Sequence, residues 1–125
     1  MQLSSSLDPE QLPAGTLDQV PYGVVRLGAD GIVEHMNRAE AERLGIQRWR
    51  ALGRDYFHDV IGASARPLAE AAATLARGAR TALRLQLAGF RWNREGQTVL
   101  VQLHRTMQGK LLLCLYPAGT APSPA

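Results

Sequence analysis

Apolar and polar residues alternate in two stretches of the second half of the chain. Thr81, Leu83, Leu85 and Leu87 alternate with Ala82, Arg84 and Gln86, and Val99, Val101 and Leu103 alternate with Leu100, Gln102 and His104. A period of two puts one set of side chains on a buried face, so both stretches read as half-buried strands. Gln108-Gly109 supplies a turn into a last strand, Lys110 to Tyr116. Near the start, Tyr22 to Leu27 contains Val24 and Val25, which favour an extended backbone. Gly28-Ala29-Asp30-Gly31 then carries the Asp-Gly hairpin signal, and Ile32 to Met36 forms the returning strand. Strands joined this tightly pair antiparallel.

The segment between the two strand groups changes to a helical period. Asn37 is a good N-cap, and Glu40 three positions on can return a hydrogen bond to the cap's amide. Gly45 stops that helix, since glycine adopts the left-handed cap most readily. A second helical piece runs near Arg48 to Leu52, and Asp55-Tyr56-Phe57-His58-Asp59-Val60 offers a further turn. Pro67 to Arg77 is the strongest helix: Leu68, Ala71, Ala72 and Leu75 share one face, and Gly78 follows. Strands at both ends with helices between them predict an α+β fold, a five-stranded antiparallel sheet with short helices and one longer helix on one face. The early hairpin is expected to enter the middle of that sheet. Residues 1–16 read as an N-terminal arm, with Asp8-Pro9-Glu10 able to open a short helix. Residues 118–125 read as a disordered tail.

Composition leaves room for one domain. The 125 residues are 46% hydrophobic and 20% charged, a globular balance. The longest apolar runs, such as Leu111 to Tyr116, are too short to cross a bilayer, and no secretory signal opens the chain. Membrane insertion is therefore not expected. The single cysteine, Cys114, suits a reducing compartment, and a cytoplasmic location is the expectation. The net charge of +3 rests almost wholly on arginine. Those arginines are scattered from Arg26 to Arg105 among acids, without the clustering that nucleic-acid binding needs.

Candidate chemistry is sparse. His35, His58 and His104 are far apart and show no metal-ligand spacing. No nucleophile elbow, phosphate-cradling glycine loop or helical zinc pair occurs, so no enzyme is expected. His58 beside Asp59 reads as an exposed residue before it reads as a ligand contact. Trp49 and Trp92 serve either as core packing or as anchors for a partner protein.

Several of these segments resemble a known family. Tyr22-Gly23-Val24-Val25-Arg26-Leu27, the Asp30-Gly31 turn, Ile32, Asn37-x-Ala39 and Gly45 look like the opening of a PAS domain. Asp55 to Val60 resembles the Phe-Phe-x-Asp-Val segment of the photoactive yellow protein branch, and Leu103-His104-Arg105 with the closing strand follows the same pattern. The resemblance covers about residues 17–117 and implies a PAS fold.

That branch carries a p-coumaroyl thioester on a cysteine soon after the Asp-Val pair. The matching position here is Ala63, which has no sulfur to form a thioester. The family's chromophore contacts correspond to Met36, Leu44 and Ile46, and only Glu40 matches, as the buried glutamate. A pocket of Met36, Glu40, Leu44, Ile46 and Ala63 no longer stabilises a buried phenolate, and either closes as core or takes a neutral apolar ligand. Neither a flavin segment of the Asn-Cys-Arg-Phe-Leu-Gln type nor a histidine on the long helix is present, so no cofactor is expected. The resemblance implies a non-enzymatic bacterial regulatory or adaptor module acting through a protein partner, with a homodimer as one arrangement. The alternative is a sensor that holds a small apolar or aromatic ligand without a covalent bond.

Overall fold

Leu111, Leu112, Leu113, Cys114, Leu115 and Tyr116 are all buried, on both faces of one strand. An uninterrupted apolar run is what a strand needs when both sides are covered. This strand is accordingly the centre of the sheet in the computed structural model, which describes residues 14–61, 66–78, 82–88, 98–106 and 108–117. In chain order the strands are β1 (Gly23–Leu27), β2 (Val33–Met36), β3 (Ala82–Ala88), β4 (Thr98–Arg105) and β5 (Leu111–Pro117). They lie in the order β2-β1-β5-β4-β3, and every neighbouring pair is antiparallel. Val24 faces Cys114 and Val101 faces Leu115 in the register.

The five-stranded sheet is the one read from the sequence, with one correction to its order. Only β1 reaches the interior, beside β5, while β2 remains at the edge. The reason lies in burial: β1 hides four of its five residues, whereas Glu34 is exposed and His35 half-buried on β2. Strand β2 therefore needs cover on one side only.

The helices are α1 (Ala14–Leu17), α2 (Arg38–Leu44), α3 (Arg48–Ala51) and α4 (Arg66–Ala76). A π-helical turn, Tyr56–Val60, stands between α3 and α4. Asp55 starts that turn by accepting from the amides of Phe57 and His58 at 2.9 and 3.0 Å. Helix α4 buries Leu68, Ala71, Ala72 and Leu75, the face set by its 3.6-residue period. Burying each leucine there stabilises the fold by roughly 1.5–3 kcal/mol.

Two apolar clusters result, one on each side of the sheet. The larger joins Val25, Leu27, Leu113 and Leu115 to residues of α2, the π turn and α4. The smaller, on the opposite face, joins Val24, Leu112, Cys114 and Tyr116 to Leu17, with Val20 and Tyr22 packed against it. Residues 17–22 thus form a strap over the face that the longer helices leave uncovered. What is described of the N-terminal arm ends in this strap, while Asp8 to Glu10 and the expected tail, 118–125, lie outside the described residues.

Asn37 ties the strap down. Its side-chain oxygen accepts from the amides of Val24 and Glu40 at 2.9 and 3.2 Å. Its amide nitrogen donates to the carbonyls of Leu17 and Tyr22 at 2.9 and 3.0 Å. The expected helix cap is present, and the same side chain also fixes β1 and both ends of the strap. The return bond expected of Glu40 is not made, because the Asn37 amide donates to Val24 O at 2.9 Å instead.

Candidate functional site

The residues expected to share one pocket differ in burial. Met36, Glu40 and Leu44 lie in the core under the sheet, whereas Ile46 is only half-buried against the rim of that core. Ala63 lies outside the described residues, as does Trp92.

The core site is organised by Glu40, which is 0% exposed. Helix α2 aims its carboxylate over Gly23, where a Cβ atom would stand only 2.1 Å from Oε1. Glycine at the head of β1 is what lets the carboxylate lie there. Tyr56, also 0% exposed, brings its hydroxyl within 3.4 Å of Glu40 Oε2, at the long end for a hydrogen bond. Burial raises the Tyr56 phenol well above its ordinary pKa, and the neighbouring Glu40 adds to the shift. The pair is consequently a neutral phenol facing a buried carboxyl group, locked among Met36, Leu44 and Val60 of the same cluster.

Sequence reasoning passed over Tyr56, although a signal was present. It stands at the first phenylalanine of the Phe-Phe-x-Asp-Val pattern, so a hydroxyl was added where that pattern is apolar. A buried hydroxyl needs a partner, and Glu40 was the one acid already expected in the core.

A second, outward site lies between α3 and the π turn. It is a cleft of about 400 Å³ with buried Ala51 and Val60 and half-buried Ile46 as its floor. Trp49, Arg50, Arg54 and Asp59 stand exposed around it. Trp49 is 66% exposed and Leu52 beside it 46%, and they are the exposed large hydrophobic residues found among the described residues. The Trp49 indole N–H donates to the side chain of Gln47, and the Arg50 guanidinium sits 5.3 Å from the ring centroid. That distance is within cation–π range, so ring and guanidinium hold each other in place. The structure thus joins Ile46, expected in a ligand pocket, and Trp49, expected on a partner surface, at one cleft.

Arg48 points elsewhere, making two contacts of 2.7 and 2.8 Å with the Asp18 carboxylate on the strap. Asp18 also accepts from the Arg38 amide at 2.9 Å. Burial pushes the Asp18 carboxyl up, but the bonds from Arg48 and Arg38 outweigh it and hold the pKa below its usual value. His58 is exposed and pairs with Asp55 at 3.4 Å rather than facing the core. Among the described residues no three acids, histidines or cysteines converge as a metal site. No helix among those residues is long and apolar enough to cross a membrane.

The sequence model of a family described as PAS fold matches residues 17–116. No curated protein matches the chain. Solved structures match well in shape and poorly in sequence. The photoactive yellow protein domain from the sensor histidine kinase Ppr of Rhodospirillum centenum has a TM-score of 0.67 at 15% identity, over 85% of this chain and 94% of that one. The PAS domain of the quorum-sensing receptor RpfR from Cronobacter turicensis, in complex with BDSF, has a TM-score of 0.66 at 14% identity, over 80% and 96%. The PAS domain of BvgS from Bordetella pertussis has a TM-score of 0.66 at 14% identity, over 96% and 89%.

Proposed function

The chain belongs to the PAS fold family, whose members are signalling sensor modules, and we propose that it works as a non-enzymatic regulatory or adaptor module that binds a partner protein through α3 and the adjoining cleft. The observation that carries this reading is the exposure of Trp49 and Leu52 on one short segment. Large apolar side chains left in water on a small domain mark contact surfaces, and tryptophan is prominent among residues that dominate binding. The rest of α3 agrees, because Ala51 anchors the segment in the core and Arg48 pins it to the strap. The surface is thus held rigidly before a partner arrives, which lowers the ordering cost of binding.

A second reading is a sensor for a small apolar ligand. Its support is the RpfR PAS domain in complex with BDSF and, in another structure, with C12:0. Against it stands the core of this chain, where Tyr56, Met36 and Leu44 are buried together beside Glu40. A ligand entering there has to displace Tyr56 or leave the carboxyl group of Glu40 against hydrocarbon, which is costly.

Affinity co-purification from the natural host, paired with native mass spectrometry, separates the readings. The contact reading expects one protein retained by the wild type, lost with Trp49→Ala and kept with the sheet-face variant Gln86→Ala. It also expects a mass equal to that of the chain alone once the partner is removed. Retention unchanged by Trp49→Ala, or a stoichiometric small-molecule adduct, contradicts it.

A further inference from the structure

The chemistry of the cleft goes further than its exposure. Arg50 and Arg54 stand on its rim, and among the described residues neither makes an ion pair, whereas Arg26, Arg48 and Lys110 each have an acidic partner. Among the described residues Asp59 is the one carboxylate that lines the same cleft. Two guanidiniums against one acid leave a positive rim around an apolar floor of Ile46, Ala51 and Val60. Arg50 lies over the Trp49 ring at 5.3 Å, within cation–π range, which narrows the positions its planar fork samples before a ligand binds. An oriented guanidinium binds a carboxylate through two parallel hydrogen bonds.

We propose that the cleft between α3 and the π turn takes an acidic peptide segment of the partner, in which a large apolar or aromatic side chain is flanked by carboxylates. The apolar side chain lies against Trp49 and Ile46, and the carboxylates reach Arg50 and Arg54. The charge balance selects this occupant: a basic segment meets like charge on the rim, and a purely apolar one leaves both guanidiniums without partners. The inference rests on the contact reading given above and adds the sign of the partner's charge.

Two synthetic peptides test it on the full chain, acetyl-Glu-Glu-Phe-Glu-Glu-amide and acetyl-Lys-Lys-Phe-Lys-Lys-amide. The Trp49 indole N–H resonance, identified by its loss in Trp49→Phe, reports occupancy. The acidic peptide is expected to shift that resonance saturably, with affinity that falls as salt rises. The lysine peptide should leave it in place. Replacing phenylalanine by glycine in the acidic peptide, or introducing Arg50→Glu with Arg54→Glu, should each weaken binding by about tenfold or more. Both arginines are exposed, so the double variant should retain the wild-type circular dichroism and thermal midpoint. No movement with the acidic peptide at millimolar concentration, or equal movement with both peptides, overturns the proposal. So does a single-stranded oligonucleotide of the same charge that competes equally well. If the partner is lost with Trp49→Ala yet kept with the double arginine variant, the charge assignment falls while the contact reading stands.

Discussion

The hydroxyl of Tyr56 lies 3.4 Å from Oε2 of Glu40, and both residues are wholly buried. A carboxyl group in hydrocarbon is tolerated only with polar company, and here a phenol from the π turn provides it. Removing the hydroxyl alone, with Tyr56→Phe, should destabilise the fold by about 1–3 kcal/mol, because Glu40 loses a buried partner. Tyr56→Ala should cost more, about 3–5 kcal/mol, since a large cavity is added. Urea unfolding of both variants checks the order. A Tyr56→Phe protein as stable as the wild type would show that the pair contributes nothing.

Gly23 is the other half of the Glu40 site. A Cβ atom there meets Glu40 Oε1 at 2.1 Å and two further carbons of the same side chain at 3.1 and 3.2 Å. The carboxylate is buried and has little room to retreat, so Gly23→Ala should cost about 1–3 kcal/mol as an overpacked site. Glu40→Ala removes every atom past Cβ. The double variant should therefore be clearly less unstable than the sum of the two single ones, a coupling that denaturation of all four proteins measures. Additive costs would place the clash elsewhere.

The alkaline limit of stability follows from the tyrosines. Tyr22, Tyr56 and Tyr116 are the chain's three, and burial raises all of them above the ordinary 10.0, with Glu40 adding to the shift at Tyr56 and Cys114 at the other two. Below that ordinary value folded and unfolded chains both keep the phenol protons, and the contribution to stability is complete. Above it the unfolded chain releases protons that the folded chain retains, so stability falls as pH rises towards the folded-state values. Phenolate absorbance and loss of far-ultraviolet circular dichroism should rise together in an alkaline titration. Phenolates forming near pH 10 with the circular dichroism intact would contradict the burial of Tyr56 and Tyr116 and the partial burial of Tyr22.

The strap offers a kinetic test. Cys114 is buried beneath Leu17 in the cluster on the outer sheet face, so a thiol reagent should reach it only when residues 17–22 lift. Asp18→Ala removes the contacts to Arg48 and to the Arg38 amide that hold the strap. Labelling of Cys114 should then be several-fold faster than in the wild type, with much the same global unfolding midpoint. Lowering the pH weakens the same latch, since the Asp18 pKa is held below its usual 3.8 and its contribution fades as the pH falls through the folded-state value; amide hydrogen exchange of residues 17–22 reads this, because a thiol reagent needs the thiolate. Identical labelling rates in the two proteins would rule out Asp18 as the latch.

The sheet was legible because its signals are local. Alternation in Leu83 to Leu87 and Val99 to Leu103 marks β3 and β4, and the uninterrupted run from Leu111 marks β5. Helix α4 and the Asn37 cap followed from spacing in the same way. The sites were less legible, because long-range partners decide them. Nothing within a few residues of Glu40 indicates that its carboxylate turns towards Gly23 and Tyr56, 17 positions before it and 16 after. Asn37 carries a cap signal, but its bonds to Leu17 and Tyr22 depend on where the strap crosses the sheet. Ile46 was grouped with Met36, Glu40 and Leu44 by family position; it packs half-buried against the cluster that holds Met36 and Leu44, and it also lines the cleft beside α3, which no local signal indicates.

The contact surface on α3 can be examined with a photoactivatable amino acid placed once at Trp49 and once at Gln86, an exposed position on β3. In living cells of the natural host, the account predicts one dominant protein adduct from position 49. The same protein should co-purify with the wild type, and position 86 should give no such adduct. Equal crosslinking from both positions, or none from 49 while the partner still co-purifies, would contradict it.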